Sequence, residues 1–174
     1  MRRARSYPPS PSVPDPRRHL LIAVAAFMRS ARDCLGVKRI ALIGSLTTTK
    51  AIPHDADVLV TIDDAVDLDR LATAGRRLKG AGQTINLGAD IFLADESGSY
   101  LGRICHYREC RPRALCRAQH CGRRNHLNDD LHVITLSHEL IAAPPLQLWP
   151  KVIRRLTVPA DVEALLLADL EQAG

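Results

Sequence analysis

The sequence predicts an α+β protein in which helices pack on a mixed β-sheet. Three apolar runs rich in β-branched residues start near residues 37, 55 and 90, and such runs are typical of buried strands. Apolar residues also recur at helical spacing in the segments around residues 19–35 and 68–79. With 174 residues, 46% of them apolar, the chain is long enough for one domain with a hydrophobic core.

The N-terminal segment differs in composition from the rest of the chain. Residues 1–16 hold five of the eleven prolines and three arginines, which predicts a disordered basic arm before a single domain at residues 17–174. No apolar stretch approaches the roughly 20 residues of a membrane span. We therefore expect a soluble, cytoplasmic protein that does not bind a membrane.

The first helix is expected from His19 to Leu35, where Gly36 would end it. Its apolar positions Ile22, Ala26 and Phe27 are predicted to face the core. Cys34 is interpreted as a buried thiol on this helix.

A strand is predicted over Val37–Ile43, and it ends at a Gly44-Ser45 turn. The following residues, Leu46–Thr49, could begin a helix. Backbone N–H groups at the start of a helix, beside a small glycine and a hydroxyl, suit the oxygens of a phosphate chain.

Three acidic residues are predicted to meet on neighbouring strands. Asp55 and Asp57 lie two residues apart in the second strand, Asp55–Ile62, so they share a face. Asp90 opens a third apolar run and can join them if that strand lies alongside the second. Three clustered carboxylates repel each other unless a cation lies between them, and hard oxygen ligands favour Mg2+ or Mn2+.

A second helix is predicted between these strands, from an N-cap at Asp67 to a basic last turn that ends at Gly80. Residues 83–87 are expected to form a short strand, in a hairpin with the strand that Asp90 begins.

These motifs resemble the polymerase-beta-like nucleotidyltransferase superfamily, particularly its small minimal members. The resemblance covers residues 37–95, about a third of the chain, and consists of Gly44-Ser45, nine intervening residues, the Asp55-Ala56-Asp57 pair and the later Asp90. It implies that Gly44 and Ser45 hold the nucleotide phosphates, and we add Lys50 to the nucleotide-binding residues. It also implies that the three acids hold the catalytic metals and that Asp90 helps to deprotonate the attacking hydroxyl.

The resemblance implies transfer of a nucleoside monophosphate from a nucleoside triphosphate to an acceptor hydroxyl. In such chemistry two cations hold the attacking oxygen and the leaving pyrophosphate. The leading acceptor is RNA, and the resemblance to toxin-like members implies the end of a tRNA. Alternatives are a protein-modifying member of a toxin–antitoxin pair with a protein partner, and a catalytically idle RNA-binding module.

An arginine-cysteine segment, residues 103–126, interrupts the domain. Seven arginines and one acid lie between residues 103 and 124, whereas the whole chain carries only +5, and such a patch is typical of a polyanion-binding surface. The segment also contains four cysteines, Cys105, Cys110, Cys116 and Cys121. Structural Zn2+, free thiols and disulfides are the three interpretations, and the ligand spacing lies at the edge of the range for zinc.

The C-terminal part predicts a strand over residues 131–136 and a short helix capped by Ser137. Asp129 and Asp130, just before that strand, are interpreted as turn residues that could assist metal binding. A last helix starts at Pro159, and its apolar stripe is either core or a surface for a partner. The stripe comprises Val162, Leu165, Leu166 and Leu170.

Overall fold

The computed structural model of the protein describes residues 15–105, 124–168 and 170. Within these ranges the chain has an α+β fold with a mixed seven-stranded sheet, which confirms the predicted fold class. The strands are β1 Val37–Ile43, β2 Asp55–Ile62, β3 Gly88–Asp95, β4 Tyr100–Ile104, β5 Leu127–Asn128, β6 Leu146–Trp149 and β7 Ile153–Arg154. The described helices are α1 Pro16–Ala31, α2 Leu68–Gln83, α3 His138–Ala142 and α4 Ala160–Val162, which continues as a π-helical turn, Glu163–Leu167.

The strand order is β5-β4-β3-β2-β1-β6-β7. Only the central pair β2 and β3 is parallel among the described strands, and all other neighbours are antiparallel. A parallel pair needs a crossover connection, and α2 supplies it. The predicted hairpin before Asp90 is therefore wrong, because residues 84–86 form a turn and β3 pairs with β2 instead.

The larger core lies on one face of the sheet, beneath α1, α2 and the last helix. Its strand residues alternate along β2 as Ala56, Val58, Val60 and Ile62, all of which are buried. The prediction for α1 was partly wrong: Phe27 is buried, but Ile22 is 49% exposed and Ala26 is exposed. The apolar residues of α1 that face the core are Leu20, Leu21, Val24, Ala25, Phe27, Met28 and Ala31.

A smaller apolar cluster covers part of the opposite face. Leu59 of β2 and Phe92 of β3 lie there, and Ile141 of α3 packs on them. This is the face to which the alternation of β2 and β3 directs Asp55, Asp57 and Asp90. The acidic residues therefore lie on the face opposite α1 and α2.

Several predicted boundaries differ from the structure. Asp15 caps α1 through hydrogen bonds from the N–H groups of Arg17 and Arg18, so the helix begins inside the segment predicted as a disordered arm. Residues 1–14 of that arm lie outside the described residues. The helix ends at Ala31, and Cys34 is buried just after it.

Two further segments correct the predictions. α2 continues past Gly80 to Gln83, where a strand was expected. Residues 131–136 form a turn and an irregular segment, because their apolar side chains are half-buried or exposed and pair with no strand. Ser137 does cap α3 by accepting a hydrogen bond from the N–H of Leu140, as predicted.

The apolar stripe of the last helix is core. Val162 and Leu166 are completely buried, and Leu165 and Leu170 pack against the same core. This stripe therefore contributes to the core, and its role towards a partner stays a prediction. None of the helices that the structure describes is both long and apolar enough to cross a membrane.

Candidate metal centre

The parallel pairing of β2 and β3 brings three acidic residues together. Asp57 lies directly opposite Asp90 in the register, and Asp55 lies opposite Gly88. Because Asp55 and Asp57 are two residues apart on one strand, all three carboxylates project from the same face. Their ligand oxygens lie within 4.8 Å of one another, and we call these residues the acidic cluster.

The acidic cluster has the composition of a divalent-metal site. Among the described residues it is the one group of three or more acidic, histidine or cysteine side chains close enough to share an ion. Hard carboxylate oxygens suit Mg2+ or Mn2+. This grouping confirms the predicted juxtaposition of Asp55, Asp57 and Asp90.

Asp57 is a member of the acidic cluster whose ionised form is disfavoured. Burial raises the pKa of Asp57 to about 7, and the charges of Asp55 and Asp90 add to the increase. A bound cation would reverse this effect, because it stabilises the ionised carboxylate. The cluster thus gains most from a ligand that is positively charged.

The Gly44-Ser45 turn lies against Asp57. Gly44 has a φ of +70°, and a Cβ at this position would collide with the Asp57 carboxylate. Only glycine adopts this conformation without strain and leaves the necessary space. The sequence motif is thus explained by two local requirements, a left-handed turn and contact with an acid.

Ser45 offers an unused polar atom beside the cluster. Its Oγ is buried and makes no hydrogen bond to any residue in the described part of the chain. Buried hydroxyls are usually satisfied, so such an atom is available to a ligand oxygen. The turn is a four-residue 3₁₀ helix, Gly44–Thr47, and no longer helix follows from Leu46–Thr49, where one was expected to begin.

Lys50 lies at the far end of the same loop and is exposed. Its carbonyl accepts a hydrogen bond from Arg17 Nη1 (2.8 Å), and Arg17 Nη2 donates to the carbonyl of Leu46 (3.3 Å). Arg17 is itself buried and forms a bidentate ion pair with Asp161. This arginine therefore fixes the loop that carries the Gly44-Ser45 turn.

Asp90 is contacted by two cations. Lys79 Nζ of α2 lies 3.1 Å from Asp90 Oδ1, and Arg103 Nη1 of β4 lies 3.3 Å from the same oxygen. Lys79 is buried, with 5% of its surface exposed. Both contacts join the cluster to elements other than β2 and β3.

Sequence reasoning missed Lys79 and Arg17 as site residues. Lys79 was assigned to a basic last turn, although it follows Leu71, Ala72, Gly75 and Leu78 on the buried stripe of α2. Arg17 likewise lies on the stripe of α1 that contains Leu20, Leu21 and Val24. A charged residue at an apolar helical position was the signal that could have found both.

The region beyond Asp90 is also polar and partly buried. Burial raises the pKa of Tyr100 to about 12, and the charge of Arg103 opposes this increase. Asp129 and Asp130 are buried, and Asp130 Oδ1 lies 2.8 Å from His132 Nδ1. Neither aspartate belongs to the acidic cluster, so the suggested help in metal binding has no geometric support.

The predicted zinc site lies largely outside the described residues. Cys110, Cys116 and Cys121 are among residues 106–123, which the description omits. Cys105 is buried, and its N–H donates to the carbonyl of His126 (2.9 Å). The zinc interpretation and the proposed basic surface both stay predictions.

The site thus combines an acidic cluster that could hold a metal ion with an adjacent turn that carries an unused hydroxyl. Comparisons of the chain with protein-family models, with curated proteins and with solved structures found no match. The functional assignment consequently depends on the residues and geometry described above.

Proposed function

We propose that the protein is a metal-dependent nucleotidyltransferase, which transfers a nucleoside monophosphate from a nucleoside triphosphate to an acceptor hydroxyl and releases pyrophosphate. One observation carries the proposal: three carboxylates from neighbouring parallel strands meet beside a glycine-serine turn that contacts one of them. The resemblance of the motifs to minimal polymerase-beta-like enzymes agrees with it.

Each residue of the site has a role in the proposed reaction. Asp55 and Asp57 would hold Mg2+ or Mn2+, which supplies charge neutralisation and a template for the triphosphate. Gly44 and Ser45 would receive phosphate oxygens, since the turn has no Cβ at residue 44 and the Ser45 hydroxyl has no other described partner. Asp90, on the neighbouring strand, would accept the proton of the acceptor hydroxyl.

RNA is the proposed acceptor. The arginine-cysteine segment concentrates seven of the chain's 24 basic residues between residues 103 and 124, and Arg103 contacts Asp90 of the cluster. Arginine-rich segments bind the phosphate backbone of nucleic acids. The charge of Arg103, the first arginine of this segment, adjoins the acid proposed to face the attacking hydroxyl.

Transfer of label tests this function. The purified chain is incubated with Mg2+, total RNA and each α-32P-labelled triphosphate in turn. We expect label on RNA with one or more triphosphates, and a loss of at least 100-fold in Asp55→Asn and Asp57→Asn, because each removes a metal ligand.

Asp64→Asn is the matched control, because Asp64 is exposed in the turn after β2 and does not belong to the acidic cluster. This variant should retain full transfer. Label on a protein acceptor in place of RNA would support the protein-modifying alternative. RNA binding without transfer of any triphosphate would support the idle binding module and contradict the proposed enzyme.

A further inference from the structure

Asp90 differs from the other members of the acidic cluster because its charge is already compensated. Lys79 Nζ and Arg103 Nη1 both approach Asp90 Oδ1, at 3.1 and 3.3 Å. In the described part of the chain, no lysine or arginine forms an ion pair with Asp55 or Asp57. The cluster is therefore asymmetric before any ligand binds.

The buried position of Lys79 is energetically unfavourable unless its positive charge is compensated. Its side chain is 7% exposed, and burial of an ammonium group is unfavourable unless a partner neutralises it. Leu78 and Gly82, on the same face of α2, are also buried, so the packing of the helix holds the lysine in place. α2 directly precedes β3, which carries Asp90.

Lys79 and Arg103 together carry the charge of one divalent cation. A metal ion coordinated by Asp90 Oδ1 would lie about 2.1 Å from that oxygen, and therefore within about 5 Å of Lys79 Nζ. Like charges at this distance repel strongly in a partly buried site. The positive charges of Lys79 and Arg103 thus compensate Asp90 and would repel a metal ion coordinated by it.

We propose that Lys79 and Arg103 take the place of a second metal ion, so that the site uses a single divalent cation held by Asp55 and Asp57. This inference rests on the proposed function, because it concerns the same carboxylates. Nucleotidyl transfer would then require one divalent ion together with two side-chain cations, the buried Lys79 and the half-buried Arg103.

Mn2+ electron paramagnetic resonance tests this proposal without measuring activity. The full-length chain is titrated with Mn2+ in the presence of the α,β-methylene analogues of ATP, CTP, GTP and UTP, which cannot be cleaved at the α-phosphate. Loss of the free-ion signal beyond the loss that the analogue alone causes counts Mn2+ bound to the chain, and the low-temperature spectrum distinguishes an isolated ion from a spin-coupled pair. We expect one isolated ion per chain.

Lys79→Met should bind a second Mn2+, coupled to the first, because it removes one positive charge from Asp90 while keeping an apolar stem. Arg77→Met is the matched control, since Arg77 is exposed on the same helix, and it should still bind one ion. The count on the unsubstituted chain needs no variant, so it stands even if Lys79→Met fails to fold.

A spin-coupled pair in the unsubstituted chain would overturn the single-ion inference and leave the proposed function intact. A single ion in correctly folded Lys79→Met would also overturn the role of Lys79. If no Mn2+ binds under any condition, the proposed function itself fails, and the inference fails with it.

Discussion

Asp57 is the residue whose negative charge is disfavoured by both burial and the neighbouring acids. It is partly buried, it lies between two other acids, and Gly44 prevents a side chain from occupying the space beside it. Burial and the neighbouring acids disfavour the negative charge of Asp57, and Gly44 leaves space beside its carboxylate. The carboxylate is therefore arranged for a cation, at a cost to the free protein.

The unfavourable ionisation of Asp57 in the folded chain predicts that stability depends on pH. The pKa of Asp57 is about 7 in the folded chain and near 3.8 in the unfolded chain, so between these values the folded state binds more protons. Stability must then fall as the pH rises from about 4 to 7. Asp57→Asn removes this titrating carboxyl. Between pH 5 and pH 8, the melting temperature of the variant should therefore rise by about 3 °C relative to that of the unsubstituted chain. This shift corresponds to about 1 kcal/mol of unfolding free energy after discounting for solvent screening.

Thermal unfolding at both pH values, without divalent ions, measures this difference. Asp64→Asn serves as the control, because this exposed aspartate does not belong to the cluster. An offset between Asp57→Asn and the unsubstituted chain that does not change with pH would contradict the elevated pKa.

Gly44 gives a second prediction at the scale of one residue. Gly44→Ala forces an alanine to a φ of +70° and places its Cβ against the Asp57 carboxylate. We expect a loss of about 1–3 kcal/mol in unfolding free energy and a weaker affinity for Mn2+. Urea denaturation and Mn2+ titration measure the two effects.

Gly80→Ala is the matched control for that substitution. No atom lies within 4 Å of a Cβ built at Gly80, which lies within α2. This change should stabilise the chain by about 0.5–1 kcal/mol, because alanine has the higher helix propensity. Equal effects of the two substitutions would show that the Gly44 turn carries no special constraint.

At the scale of elements, Arg17 connects the first and last helices with the loop that carries the Gly44-Ser45 turn. Its guanidinium pairs with Asp161 of α4 and donates to the carbonyls of Leu46 and Lys50. Arg17→Met should lower the unfolding free energy by about 2–3 kcal/mol, because it leaves a partly buried carboxylate and carbonyls unpaired. It should also weaken triphosphate binding through the loop.

Arg18→Met provides the comparison, since Arg18 is exposed in the same helical turn. Chemical denaturation and binding of a fluorescent triphosphate analogue give the two readouts. If Arg17→Met affects stability and leaves triphosphate binding unchanged, the loop does not depend on this contact.

The strands were easier to predict than the ends of the helices. β1 and β2 follow the predicted bounds because continuous apolar runs, ended by polar turns, specify buried strands. Gly80 did not end α2, because a glycine can be tolerated inside a helix that packs on a sheet. Residues 131–136 are apolar, yet tertiary packing leaves several of them exposed, as Leu131 and Val133 are.

For the molecule as a whole, sequence motifs located the acids and the turn but not the charges that surround them. The shared face of Asp55 and Asp57 follows from strand periodicity, which depends on local sequence, whereas Asp90 joins them only because β3 pairs with β2. The pairing of Lys79 with Asp90 depends on how α2 crosses between two strands, and Arg17 depends on a contact with residue 161. Such long-range pairings could not be read from local patterns.

The cysteines of the arginine-cysteine segment provide a separate prediction for the whole chain. If Cys105, Cys110, Cys116 and Cys121 bind Zn2+, native mass spectrometry should show one zinc ion per chain, which a strong chelator removes. Replacement of Cys34, a buried cysteine outside the segment, should leave that ion in place. An unchanged mass after chelation would rule out the zinc site.

Anomalous diffraction at the manganese absorption edge, from crystals soaked with Mn2+ and a non-hydrolysable triphosphate, shows directly where the cation binds. We expect a peak at coordination distance from Asp55 and Asp57, with triphosphate oxygens on the Gly44-Ser45 turn. A bound triphosphate at another surface, or a fully occupied manganese peak away from these carboxylates with none between them, would contradict it.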